Sequence, residues 1–175
     1  MNRFTTALLA LALSACAAPL TAAAQAPGAL KDGIVGAWSL ASIYEEDDFG
    51  EDLDRWGSAP RGHLSVDASG RFMLQIAARE PIRLASADAA TNTVPTCGNG
   101  RACVAYAGVY ALDRARGTIV FTIEDAVSAE AGAQATAAVN IDADGTLHFV
   151  SSAESSPTGA FYSHTAWKRA GSRAK

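Results

Sequence analysis

The sequence predicts an all-β protein that folds as an eight-stranded antiparallel up-and-down barrel. Beyond about residue 33, apolar and polar residues mostly alternate, as they do in strands with one buried face. Eight such segments follow one another, and most are joined by short turns, which force neighbouring strands to run antiparallel. Closing them into a barrel removes exposed strand edges. A β-sandwich is the alternative, because counting strands does not separate the two folds.

Turn residues bound the predicted strands. Asp67-Ala68-Ser69-Gly70 is the clearest turn, since its final glycine can adopt the positive φ that tight hairpins require. The long connection at 79–101 is loop-like, with a short helix over 84–91 as an option. The eight strands are predicted over residues 36–45, 61–67, 70–78, 103–112, 117–124, 133–141, 145–152 and 161–169.

The first strand runs into a strongly acidic segment. Trp38, Leu40 and Tyr44 recur at period two, so these three side chains are expected on one face. The carboxylates from Glu45 to Asp54 lack the alternating spacing and central glycine of a calcium loop. We therefore interpret this segment as a solvated loop at the barrel mouth and predict no metal site.

The first 26 residues are predicted to be a leader. Met1-Asn2-Arg3 supplies a short positive start, and residues 4–17 are apolar but too few to span a bilayer. Two interpretations stay open: the sequence around Cys16 resembles a lipobox, which would lipidate Cys16, and residues 22–26 suit an ordinary signal peptidase. Both predict an exported protein of the periplasm or cell envelope, the first as an outer-membrane lipoprotein.

The rest of the chain is expected to form one domain. We expect a linker over 27–33, the barrel over 34–169 and a disordered tail over 170–175. The net charge is −4 and Lys and Arg are not clustered, which argues against nucleic acid as a partner. Membrane contact is expected only through a lipid on Cys16, and a monomer is the default oligomeric state.

Cys97 and Cys103 flank a glycine-rich turn and are predicted to form a structural disulfide. A metal site would need further ligands nearby, and a redox pair is usually separated by two residues. Such a bond would stabilise the fold by about 2 kcal/mol, mainly by restricting the unfolded chain.

Five short motifs occur in order along the barrel segment, and together they resemble the bacterial lipocalin-like domain family. They cover the chain from about residue 34 to residue 169. The resemblance implies a calycin-type barrel with an internal cavity, a plug formed by Trp38, and a cation from Arg169 or Lys168 over its ring. The motifs are Gly36-Ala37-Trp38-Ser39-Leu40, Pro60-Arg61-Gly62-His63-Leu64, Asp67-Ala68-Ser69-Gly70-Arg71-Phe72-Met73, Tyr106-Ala107-Gly108-Val109-Tyr110 and Ala166-Trp167-Lys168-Arg169.

The chain departs from that family in its polar interior positions. Members often carry histidines on the strand after Tyr-x-Gly-x-Tyr and an arginine on the next long strand. Here those two segments, 118–124 and 134–140, hold apolar residues at the histidine positions and no arginine. Any reaction that depended on those groups would be lost, and a cavity they lined would be more apolar.

Catalysis is not evident from the sequence. His63, His148 and His164 lie on different predicted strands, each out of phase with its apolar neighbours, so all three are expected to point outward. The chain contains no nucleophile elbow, phosphate-binding glycine loop or zinc spacing.

The predicted function is therefore the binding of a small hydrophobic or amphipathic ligand, without a cofactor. Two alternatives stay open. One is an enzyme of cyclase, isomerase or hydrolase type, which His63 or His164 turned inward beside Glu124 or Asp125 would favour. The other is a filled structural barrel of the cell envelope. The candidate ligand contacts are Tyr44, Leu74, Tyr106, Tyr110 and Phe121.

Overall fold

Eight strands close into an antiparallel barrel in the computed structural model of the chain. The structure describes residues 33–53, 56–80, 96–97, 101–127, 132–151, 154–156 and 159–171. The leader at 1–26 with Cys16, all but the last residue of the 27–33 linker, the optional helix at 84–91 and residues 172–175 lie outside these ranges. Within them, no helix is long and apolar enough to cross a membrane.

Ten strands are present in chain order. Their bounds are β1 (Gly36–Asp47), β2 (Arg61–Val66), β3 (Arg71–Ala77), β4 (Thr96–Cys97), β5 (Arg101–Asp113), β6 (Thr118–Ala126), β7 (Gln134–Ile141), β8 (Leu147–Ser151), β9 (Glu154–Ser156) and β10 (Gly159–Arg169). The eight predicted strands correspond to β1, β2, β3, β5, β6, β7, β8 and β10, and each end lies within two residues of its prediction. β4 pairs with β5, and β9 pairs with β10.

Pairing of the first barrel strand with the last decides between barrel and sandwich. β1 pairs with β2 on one side and with β10 on the other, from Trp38 opposite Arg169 to Asp47 opposite Phe161. The eight barrel strands therefore leave no gap in the ladder. The predicted all-β, eight-stranded antiparallel barrel is confirmed, and the sandwich alternative is excluded.

The end of the barrel where β1 begins, here called the Trp38 end, is filled with large apolar side chains. Trp38 and Trp167 are fully buried there, together with Ile34, Ile119 and Leu147. Above them, Phe121 contacts Phe72 and Phe149 at ring-centroid distances of 4.7 and 5.8 Å. Tilted and edge-on rings of this kind pack favourably, so this half of the barrel is a side-chain core.

Arg169 holds the Trp38 end together. Its guanidinium carbon lies 4.4 Å from the centroid of the Trp38 ring, and its two terminal nitrogens donate to the carbonyl oxygens of Val35 and Gly33 at 2.9 and 2.6 Å. The Trp38 indole nitrogen donates to the carbonyl of Ile34 at 2.8 Å. The cation contact that the lipocalin resemblance implies is thus present, and Arg169 makes it. Lys168 instead binds Asp144 and Thr146 on the outer face.

Gly36 explains why a glycine precedes the tryptophan in this motif. Its φ is 142°, a conformation that side chains with a Cβ rarely adopt. A Cβ at this position would also overlap the Nη1 atom of Arg169. The glycine therefore leaves the space through which the guanidinium reaches the start of β1.

Replacement of Arg169 by Gln is expected to lower the free energy of unfolding by about 1–3 kcal/mol. The substitution removes the cation over Trp38 and two hydrogen bonds to backbone carbonyls. Urea unfolding of Arg169→Gln and of Arg116→Gln, a control whose side chain is 81% exposed, measures the difference. The control is expected to change stability by less than about 0.5 kcal/mol. Equal effects of the two substitutions would contradict the role given to Arg169.

The carboxylate of Asp144, in the β7–β8 turn, is expected to make the stability of the fold depend on pH. Lys168 and Thr146 hydrogen-bond the carboxylate of Asp144 and hold its pKa well below the ordinary value. Because the folded-state pKa is depressed, the stabilisation is present above the unfolded-state pKa of about 3.9 and is lost as the pH falls through the folded value. Asp144→Asn should therefore lower the melting temperature at neutral pH. The gap from wild type should narrow below about pH 4. A gap that stays constant into strong acid would contradict this.

Candidate functional site

A β-bulge in β1 decides which of its side chains enter the barrel. Leu40 lies opposite Trp167 on β10, but Ser42 lies opposite Ala166, so Ala41 is an extra residue. The extra residue reverses the alternation beyond it. Trp38 and Leu40 face inward before the bulge, and Ile43 and Glu45 face inward after it, opposite Thr165 and Ser163.

Tyr44 is consequently on the outside of the barrel. It is 46% exposed, and its ring stacks on that of His164 at a centroid distance of 4.4 Å. The prediction that Tyr44 shares a face with Trp38 and Leu40 was wrong, because strict alternation does not hold across the bulge.

Glu45 is the unexpected polar residue of the barrel interior. It is only 6% exposed, and its Oε1 atom accepts a hydrogen bond from the indole nitrogen of Trp56 at 3.0 Å. Trp56, also buried, returns to the barrel from the β1–β2 loop, and the backbone nitrogen of Leu53 donates to the Glu45 carbonyl at 2.8 Å. For Glu45, the interpretation of a solvated acidic loop was wrong, because Glu45 lies within β1 and faces inward.

Hydroxyl groups continue the polar surface beside Glu45. Ser163 and Thr165 follow the inward face of β10, and Ser151 ends β8 next to them. The Ser151 hydroxyl accepts from the backbone nitrogen of Ser163 at 2.8 Å, and the Thr165 hydroxyl accepts from the Trp167 indole at 2.9 Å. Glu45 and these three hydroxyl residues form what we call the polar seam.

Apolar side chains line the other interior wall. Leu74 on β3 lies directly opposite Tyr106 on β5, and Val104 lies opposite Ile76. Leu74, Val104 and Tyr106 face the interior but are only partly buried, as is Ile43 on β1. Together with the polar seam they line the half of the barrel away from Trp38, which we call the distal half.

The other candidate ligand contacts lie nearer the filled half. Phe121 belongs to the aromatic cluster, and Tyr110 lies opposite it on β5. The Tyr110 hydroxyl donates to the backbone carbonyl of Asp67 at 2.8 Å, in the β2–β3 turn at the Trp38 end. Burial and the neighbouring Asp67 raise the pKa of this phenol. Of the five candidates, the structure therefore brings only Leu74 and Tyr106 together in the distal half.

The three histidines face outward, as the alternation predicts. His63 is exposed on β2, and His148 lies 2.9 Å from Asp142 near the β7–β8 turn. The Nε2 atom of His164 lies 3.0 Å from Oε1 of Glu46 on the outer surface of β1. The inward histidine that would favour an enzyme is therefore not found.

The two cysteines of the predicted disulfide lie at the distal end of the barrel. β4 places Cys97 opposite Arg101 in the backbone register, and Cys103 is buried two residues further along β5. The side chain of Cys97 lies outside the described residues, so the Cys97–Cys103 pairing stays a prediction. Among the residues that the structure describes, no group of three or more His, Cys, Asp or Glu is placed to hold a metal ion.

No protein-family model and no curated protein matches this chain. The barrel is compatible with a lipocalin-like fold, but no match establishes the family.

Sequence reasoning missed Glu45, Trp56 and the polar seam. One signal was available for Trp56. Tryptophan side chains are mostly buried, so a tryptophan in an otherwise acidic loop indicates that this part of the loop packs against the protein. No comparable signal distinguished Glu45 from the carboxylates that follow it, since its burial depends on the bulge.

The hydrogen bond between Trp56 and Glu45 can be measured by a double-mutant cycle. Trp56→Phe should cost about 1–3 kcal/mol of stability, because it removes the donor to a buried acceptor. In a Glu45→Gln background, where the bond to a carboxylate is replaced by a weaker one to an amide, the same substitution should cost about 1 kcal/mol less. Equal costs in the two backgrounds, measured by urea unfolding, would show that Trp56 is only packed there.

Proposed function

We propose that this protein is an exported lipocalin-like barrel that binds one small amphipathic molecule in its distal half and performs no catalysis. The observation that carries the proposal is the unequal packing of the interior. The Trp38 end is filled by buried tryptophans and the phenylalanine cluster, whereas four interior residues of the distal half, Ile43, Leu74, Val104 and Tyr106, are only partly buried beside the buried Glu45, Trp56 and Ile76. A site of this kind fits a ligand that completes the packing.

The two walls of the distal half favour an amphipathic ligand over a purely apolar one. Leu74, Val104 and Ile43 would contact an apolar body, and the polar seam would hydrogen-bond a polar group. A few placed polar groups in an apolar pocket fix the orientation of a ligand and supply specificity. A wholly apolar molecule would leave the buried carboxylate and hydroxyl groups facing hydrocarbon, which is unfavourable.

The filled half limits the size of the ligand. Phe72, Phe121 and Phe149 meet across the barrel, so a ligand that enters from the distal end would reach only to this cluster. An eight-stranded barrel has an interior just wide enough for side chains or for one small ligand. The proposal is therefore one small molecule and not a long lipid chain.

The export part of the proposal rests on the leader over 1–26 and on the cysteine pair. A Cys97–Cys103 disulfide would persist in an oxidising compartment such as the periplasm, and not in the cytosol. If the lipobox interpretation of Cys16 is right, globomycin should block processing of the leader. Unchanged processing would favour the soluble periplasmic form.

Native mass spectrometry of the protein purified from its own cell envelope or periplasm tests the binding function. We expect a bound small molecule that is released on denaturation and recovered by solvent extraction. Repeated spectra of empty protein, together with no binding of amphipathic fluorescent probes, would contradict the proposal and favour a filled structural barrel.

Filling the distal half should weaken probe binding. Leu74→Trp places a large ring among the residues of the apolar wall, and we expect the affinity for an amphipathic dansyl probe to fall by at least about tenfold. Met73→Trp is the matched control, because Met73 directly precedes Leu74, faces outward and is 63% exposed. Circular dichroism checks that both variants fold. Equal affinities of the two variants would place the probe outside the barrel.

A further inference from the structure

Three aromatic side chains lie outside the barrel interior, and all three are at the distal end of the β1–β10 ladder. Tyr44 on β1 is 46% exposed, and Phe49, in the turn after β1, is 91% exposed. Tyr162 on β10 lies opposite the outward-facing Glu46 and is only partly buried. A single exposed aromatic residue is ordinary, but aromatic side chains gathered in one place outside the core are typical of protein interfaces.

The ring of Tyr44 is held in place on the outer surface. It stacks on His164, its partner in the ladder, at a centroid distance of 4.4 Å and an interplanar angle of 7°. His164 is held in turn, since its Nε2 atom lies 3.0 Å from Oε1 of Glu46. One face of the Tyr44 ring is thus covered by the imidazole while nearly half of the residue stays exposed. A partner that packs on such a ring orders little that is not already ordered.

Phe49 is also held, at the tip of a short turn. The Oδ1 atom of Asp47 accepts from the backbone nitrogens of Phe49 and Glu51 at 2.8 and 2.9 Å, and the backbone nitrogen of Gly50 donates to the Asp47 carbonyl at 3.0 Å. The same loop buries Trp56 against the barrel but leaves Phe49 in solvent. The turn therefore presents an apolar ring outward in a defined position.

The charges around these rings are of one sign. Asp48, Glu51 and Asp52 are exposed beside Phe49, and the side chain of Glu46 is 34% exposed. No lysine or arginine occurs in residues 33–53 or 159–167. A second copy of the chain would bring carboxylates against carboxylates, and an anionic lipid surface would repel them. A cationic protein partner complements this charge.

We propose that the aromatic surface, defined as Tyr44, Glu46, Phe49, Tyr162 and His164, docks a partner protein that presents an arginine beside an apolar side chain. The guanidinium stacks on the Tyr44 ring and pairs with Glu46, and the apolar side chain contacts Phe49. Tyr44 and Glu46 are two residues apart on one face of β1, about 7 Å, so one arginine side chain reaches both. Arginine suits this pair better than lysine, because its planar group both stacks on aromatic rings and binds carboxylates through two N–H groups.

Three short peptides that differ only at their central residue test this inference. The central residue is arginine, lysine or the neutral arginine analogue citrulline, with a leucine on each side. Titration of the whole ¹⁵N-labelled protein follows the backbone amides of the aromatic surface. We expect the arginine peptide to bind about threefold or more tightly than the lysine peptide, and the citrulline peptide to bind weakest.

Two pairs of variants assign the binding to this surface. Tyr44→Ala should weaken the arginine peptide by about fivefold or more, whereas Met73→Ala, an exposed outward residue on β3, should leave it unchanged. Glu46→Gln should reduce the preference for arginine over citrulline to about twofold or less. Glu51→Gln removes the same charge from the neighbouring turn and should keep most of the preference. All four side chains are at least partly exposed, so the variants are expected to fold.

Each other outcome overturns the inference. No shift of these amides up to about 10 mM arginine peptide, or equal binding of the three peptides, would exclude an arginine docking site. Equal loss of preference in Glu46→Gln and Glu51→Gln would assign the attraction to the general field of the acidic turn. A dimer in sedimentation that Tyr44→Ala dissociates would make the surface a contact between copies of this chain. None of these results bears on ligand binding inside the barrel, because the aromatic surface lies on its outside.

Discussion

The ladder between β1 and β10, with its single extra residue, is the constraint on which the rest of the structure depends. It closes the barrel, because β1 would otherwise be an exposed edge. It also sets two phases of alternation along one strand. Before the bulge, Trp38 points into the barrel and meets Arg169 from the partner strand; after it, Glu45 points in and Tyr44 points out. One inserted residue thus separates the half of β1 that carries the Trp38 plug from the half that carries the proposed binding site.

The two halves of the barrel follow different physical rules. At the Trp38 end, buried aromatic rings and the guanidinium of Arg169 fill the space and satisfy the backbone carbonyls at the start of β1. In the distal half, a buried carboxylate is retained beside hydroxyl groups and an incompletely buried apolar wall. Glu45 accepts the hydrogen bond of the buried Trp56 indole, so it ties the β1–β2 loop to the barrel as well as placing a polar group in the interior.

Much of the fold could be predicted from the sequence, because strand period and turn chemistry are local properties. The alternation of Leu64 and Val66, or of Phe72 and Ile76, shows which residues face the core without knowledge of their partners. Closure of the ladder was a weaker inference, since the pairing of β1 with β10 joins distant parts of the chain. The interior role of Glu45 could not be predicted, because a bulge is defined only when two strands are set in register.

Nuclear Overhauser effects between β1 and β10 in solution test this account most directly. The bulged register predicts backbone contacts that pair Ile43 with Thr165 and Glu45 with Ser163. A ladder that continued from Leu40 opposite Trp167 without the extra residue would instead pair Ser42 with Thr165 and Tyr44 with Ser163. Observation of that second set would place Tyr44 inside the barrel and Glu45 outside, and would contradict the arrangement of the proposed site.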